Sequence, residues 1–178
     1  LKIYQLNNDF RYQILMTKNG SDLYILKRLG CPLTNGWEKL EVYVPASRKD
    51  RPSSDFPGFL PNAPVFGPKA KEIFQDVLEQ YGEFLELDVE GRDNCFLYNT
   101  LNTLTALDEI NSDVIRFTDG RIMDIKKYVF VEELVRDEII FKIPEDPGSI
   151  FVSDEFVSIY KNNVLSGLVF KEVWSNEQ

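Results

Sequence analysis

GRIMDIKKYVFVEELVRDEIIFKIPEDPGSIFVSDEFVSIYKNNVLSGLVFKEVW, residues 120–174, decides the fold class. Segments 127–131, 138–143 and 168–174 have the length and the β-branched or aromatic content of strands, and acidic turns separate them. Ser153 precedes Asp154 and Glu155, acids well placed in the first turn of a short helix that carries Phe156, Val157 and Tyr160 and that Asn162-Asn163 can close. Strands and helices do not alternate as βαβ units. The pattern predicts an α+β domain, a mainly antiparallel sheet packed with a few short helices.

Upstream, residues 2–6 predict an opening strand, and WEKLEVYV at 37–44 sets Leu40, Val42 and Val44 against Glu41 and Tyr43, as a half-buried strand does. Between them two readings stay open. Asn19-Gly20 can turn a hairpin between RYQILM and DLYILK, or Asp22 can cap a helix that Gly30 stops. Six of the nine prolines, Pro45, Pro52, Pro57, Pro61, Pro64 and Pro68, fall within 45–68, which argues against regular structure there. Phe56, Phe59, Leu60, Val65 and Phe66 give that segment apolar anchors, so a loop wrapped over the core is expected in preference to a disordered linker. A single domain over 1–178 is the simplest division, with two lobes joined by 45–68 as the variant.

Gly67 and Pro68 open the clearest helix: Ala70, Ile73, Phe74, Val77, Leu78 and Tyr81 recur at helical spacing before Gly82. Strands at 83–89 and 95–98 are expected to form a hairpin across Gly91-Arg92-Asp93-Asn94. Residues 99–109 predict a short helix ending in Asp108 and Glu109, where carboxylates oppose the helix dipole, and 114–117 predict a further strand.

The chain has 178 residues, 43% of them hydrophobic and 13% aromatic, enough to bury a core without staples. Its aromatic side chains are read first as that core. Cys31 and Cys95 lack metal or redox spacing, and no signal peptide or apolar run of membrane-spanning length is recognisable, so a reducing cytoplasm is the expected location. Net charge is −9, and residues 1–89 hold 12 acidic and 11 basic side chains against 17 and 9 in 90–178. Such a field repels phosphate backbones and anionic headgroups and attracts a basic protein, although acidity also serves solubility alone.

The absence of histidine removes the commonest general base, the Ser-His-Asp and Cys-His arrangements and most catalytic zinc sites. Cys95 in CFLY has the setting of a buried thiol, and Cys31 in GCPLTNG has no activating neighbour. Adjacent carboxylates occur at Asp108-Glu109, Glu132-Glu133, Asp137-Glu138, Glu145-Asp146 and Asp154-Glu155, but 29 acidic residues produce such pairs on any solvated face. No calcium loop or phosphate loop is present, so no cofactor is expected.

IMDIKKYVF, IIFKIPE, IFVSDEF and the terminal SGLVFKEVW resemble, in that order, the C-terminal half of a bacterial polymorphic-toxin immunity family, immunity protein family eleven. DFPGFLPNAPVFGPKA at 55–70 and FLYNTLNTLTALDE at 96–109 resemble its middle segments. The likeness thins over 1–52, where IYQLNND and Trp37 are what remains of it. Membership implies a cytoplasmic protein that binds and neutralises a toxin, and it transfers no binding residue. On that reading the partner is a cognate toxin domain, met by occlusion: an acidic, partly aromatic surface covers a basic cleft. The candidate surface holds Asp108, Glu109, Asp113 and Asp119, with a solvated loop as its alternative. The competing functions are a small hydrolase or lyase using paired carboxylates and a regulatory scaffold subunit.

Overall fold

Alternating side chains in the C-terminal strands face two different cores. The computed structural model describes residues 1–177, and within them β9 (Ile140–Ile143), β10 (Asp146–Ser153), β1 (Lys2–Asn8) and β11 (Leu168–Ser175) form an antiparallel sheet in the order β11-β1-β10-β9. Ile140, Ile150, Val152 and Leu6 face one apolar cluster; Phe141, Ile143, Phe151 and Ile3 face another. A sheet covered on both sides reads as a continuous apolar run. IIFKI and SIFV are such runs.

The second sheet runs β2 (Met16–Thr17), β3 (Leu40–Tyr43), β5 (Gly82–Val89), β6 (Cys95–Thr100), β4 (Val65–Phe66), with the β3–β5 pair parallel and the rest antiparallel. It too is covered on both sides. Leu85, Leu87, Val89, Cys95 and Leu97 pack with Leu15, Leu26 and Leu33, while Phe84, Phe96 and Tyr98 turn toward the cluster that Ile140 and Val152 enter. The central cluster is therefore shared by the two sheets. The helices α2 (Pro68–Leu78) and α4 (Asp154–Asn162) supply Phe74 and Phe156 to it, stacked at 4.5 Å between ring centroids.

The proline-rich segment wraps onto this core. Phe56 is 1% exposed, with its ring 4.6 Å from Phe66 and 5.7 Å from Tyr160. Asp55 fixes the wrap by accepting from Ser166 N at 2.9 Å and Ser166 Oγ at 3.0 Å. At Gly167, φ is +107° and a Cβ would meet Phe56 O at 2.3 Å, so only glycine fits that crossing.

Several local expectations are corrected. Residues 99–109 are extended beyond β6: Leu104 N donates to Lys142 O, Lys142 N to Asn102 O, Val131 N to Ala106 O and Asp108 N to Val129 O, all at 2.8–2.9 Å. Non-local partners, helped by three threonines, outcompete the helical spacing of the leucines. Asp108 and Glu109 therefore follow an extended segment and oppose no helix dipole. The strand expected at 127–131 lies at β8 (Ile122–Lys127), followed by α3 (Glu132–Val135), and β10 was not foreseen. Of the two readings for 19–30 the helical one holds in shortened form: α1 spans Asp22–Leu26, with Ser21 and not Asp22 at its N-cap and Lys27 and not Gly30 at its C-cap. Ser153 Oγ makes no cap bond to α4. The segment 37–44 is a strand only over Leu40–Tyr43, and α2 ends at Leu78. Gly82 is required by close approach: a Cβ there would sit 2.3 Å from Asn99 O.

Candidate functional site

β7 (Asp113–Arg116) and β8 form a two-stranded sheet paired with neither larger sheet. Its turn follows from Asp119-Gly120. Gly120 N donates to Phe117 O at 3.0 Å, Phe117 N donates to Arg121 O at 2.8 Å, and Gly120 adopts φ +90°, the left-handed position that closes a tight hairpin with a bulge. The inward side rests on the Phe141–Phe151 cluster through Val114, Ile122 and Ile125. β7 runs without an extra residue, the register shifts being absorbed at Met123 and Lys126 of β8. Asp113, Ile115 and Phe117 therefore share the outward side.

The four candidate carboxylates lie on this one excursion of the chain. Asp108 accepts from Asn111 Nδ2 at 2.7 Å and from Ile110 N and Asn111 N at 3.1 Å, and the Asn111 bonds hold its carboxyl below the ordinary aspartate range. Glu109 is paired with Arg116, whose other terminal nitrogen donates to Gly120 O at 2.8 Å. Asp119 accepts from Arg121 Nε at 2.8 Å, and the Arg121 guanidinium lies 5.6 Å from the Phe117 ring centroid. Asp113 is exposed and joins no ion pair among the described residues. Three of the four are already engaged within the hairpin and its approach.

The hairpin is less acidic than its sequence neighbourhood suggested. Between 108 and 127, Asp108, Glu109, Asp113, Asp119 and Asp124 stand beside Arg116, Arg121, Lys126 and Lys127. Its more distinctive property is exposed apolar area. Ile110 is 94% exposed, Phe117 47% and Ile115 36%, and half of the large exposed apolar side chains among the described residues lie between 110 and 134. Sequence reasoning identified the β7 strand but not which side of it stays uncovered. The turn signal, Asp-Gly between β-branched runs, was present in the sequence.

A depression of about 320 Å³ lies beside the hairpin, lined in part by Asp124, Tyr128, Glu145, Asp146 and Lys171. Tyr128 Oη donates to Asp146 Oδ2 at 2.8 Å, and burial together with that carboxylate pushes the phenol up. Lys126 holds the Asp124 carboxyl below its ordinary value, the opposite of what a general acid needs. Glu145 Oε2 is shielded without a donor. Of the adjacent acidic pairs, Glu145-Asp146 alone lines this depression. Cys95 is buried, and desolvation raises its thiol; Cys31 is exposed. Among the described residues no three acidic or cysteine side chains converge to hold a metal ion, and no helix is long and apolar enough to cross a membrane.

No curated protein matches the sequence. A family model does, over residues 44–175, which takes in the proline-rich wrap, α2, the β5–β6 hairpin, the β7–β8 hairpin and the C-terminal strands. The matched span is most of the chain, and its segments are the ones whose order carries the resemblance. The chain belongs to the immunity protein family Imm11.

Proposed function

We propose that this protein binds the toxin domain of a bacterial polymorphic toxin system in the cytoplasm and neutralises it by covering its working cleft, without chemistry of its own. The observation that carries the proposal is the family match across 44–175. Supporting it, the chain lacks histidine, the commonest general base. The docking surface is assigned to the β7–β8 excursion with Asp108, Glu109, Asp113 and Asp119. Its long-range contribution is steering: a molecule of net charge −9 approaches a basic partner faster than a neutral one, and most strongly at low salt.

The experiment is co-expression with the toxin encoded by the neighbouring gene. Rescue of growth and copurification of the two chains are expected; toxicity undiminished and no complex would refute the function. Among the described residues, the depression lined by Asp124, Glu145 and Asp146 is what favours a carboxylate-dependent enzyme instead. That reading requires turnover of a small compound lost on Glu145→Gln.

A further inference from the structure

Ile115 and Phe117 stand on the outward side of β7, and β7 is an edge strand with no neighbour beyond it among the described residues. Nothing in the fold needs them apolar, because the packing side of the hairpin is Val114, Ile122 and Ile125. The side chains are not on a loose loop either. Arg116 ties Glu109 to Gly120 O, and Arg121 is held by Asp119 while it lies over Phe117, so the tip is braced before any partner arrives. Preorganised aromatic and arginine groups are what interface anchors are made of, since little side-chain freedom is left to lose on binding.

The occupant follows from charge and place. Asp113, on the same outward side, is a carboxylate without an ion-pair partner among the described residues. The second group of exposed apolar side chains, Phe10, Met16, Leu23 and Tyr24, lies outside the span 44–175 that defines the family, whereas the hairpin lies inside it. Resting on the immunity function above, we infer that the outward side of β7 is the anchor of the complex: Ile115 and Phe117 enter an apolar depression on the toxin domain whose rim carries a basic side chain opposite Asp113. The apolar pair then sets the lifetime of the complex, and the carboxylates set how fast it forms.

The test is association and dissociation kinetics of the full chain on the immobilised toxin domain from the neighbouring gene, catalytically silenced by substitution. Ile115→Ser and Phe117→Ser are each expected to raise the dissociation rate about tenfold or more. Asp113→Asn is expected to slow association at low salt by about two- to fivefold with a smaller change in dissociation. Val169→Ser and Tyr24→Ser, at exposed apolar positions elsewhere, are expected to leave both rates within about twofold of wild type. Thermal midpoints of all variants check folding, and either hairpin variant suffices if the other melts early. If the wild type binds and Ile115→Ser and Phe117→Ser dissociate at the wild-type rate, the anchor is wrong while the immunity function stands. Weakening by Tyr24→Ser alone, or a self-associated wild type that Phe117→Ser renders monomeric, would move the interface to the N-terminal group or to a second copy and overturn the inference. A wild type that does not bind removes both.

Discussion

Glu83 illustrates how single residues hold the frame. Its carboxylate accepts from Leu33 N at 2.5 Å and from Asn99 Nδ2 at 2.9 Å on one oxygen, and from Thr34 N at 3.1 Å and Thr34 Oγ1 on the other. Burial pushes this carboxyl up, but the hydrogen bonds outweigh it and hold the group below its ordinary value of 4.5. A depressed folded value stabilises above the unfolded one and is lost as pH falls through it. Glu83→Gln is therefore expected to cost about 1–2 kcal/mol at neutral pH by chemical denaturation, and the difference from wild type should shrink below about pH 4. Lys142 has the opposite sign. It is 7% exposed on β9 and joins no ion pair among the described residues, and desolvation lowers its amine below 10.5. The burden of the buried charge is present below the folded value and is relieved as pH rises toward the unfolded one. Lys142→Met should raise stability by about 1 kcal/mol near pH 7, and that advantage should fade in denaturation curves taken toward about pH 10.5.

At the scale of elements, close approach of backbones dictates two glycines. Gly82→Ala sets a methyl against Asn99 O in the neighbouring strand, so the β5–β6 pair must shift. A loss of about 1–3 kcal/mol is expected in thermal or urea unfolding, with unchanged stability as the contrary result. The elements legible in sequence are those whose signal is local: α2 from its apolar spacing behind Gly67-Pro68, the β5–β6 hairpin from its alternation around Gly91, and α4 from the acids after Ser153. Residues 99–109 were illegible because their partners, Lys142, Val129 and Val131, lie far along the chain. β10 was hidden by Pro147-Gly148, which reads as a turn although the strand passes through it. The candidate carboxylates were found as a cluster in sequence, but their internal pairing with Arg116, Arg121 and Asn111 was not. The outward side of β7 was equally hidden, because Val114 and Ile115 have the same local chemistry and the fold alone decides which is covered.

Across the whole molecule, three apolar clusters alternate with two sheets, and the central one is built from both. Phe56, Phe66, Phe84 and Tyr98 make an aromatic chain through it, with 4.6, 5.2 and 4.9 Å between successive ring centroids. One cooperative unfolding transition is expected, coincident by tryptophan fluorescence and far-ultraviolet circular dichroism; two separated transitions would favour the two-lobe division. On this frame the β7–β8 hairpin pairs with neither larger sheet and packs on the Phe141–Phe151 cluster, leaving Ile115 and Phe117 exposed. Neutralisation by covering is stoichiometric by nature, whereas an enzyme acts at trace amounts. The decisive measurement is therefore a titration of the neighbouring toxin's activity with purified chain. A linear fall to zero at one chain per toxin domain, with a complex of that composition by light scattering, is the predicted result. Inactivation by a small fraction of an equivalent, or undiminished activity at excess, would contradict it.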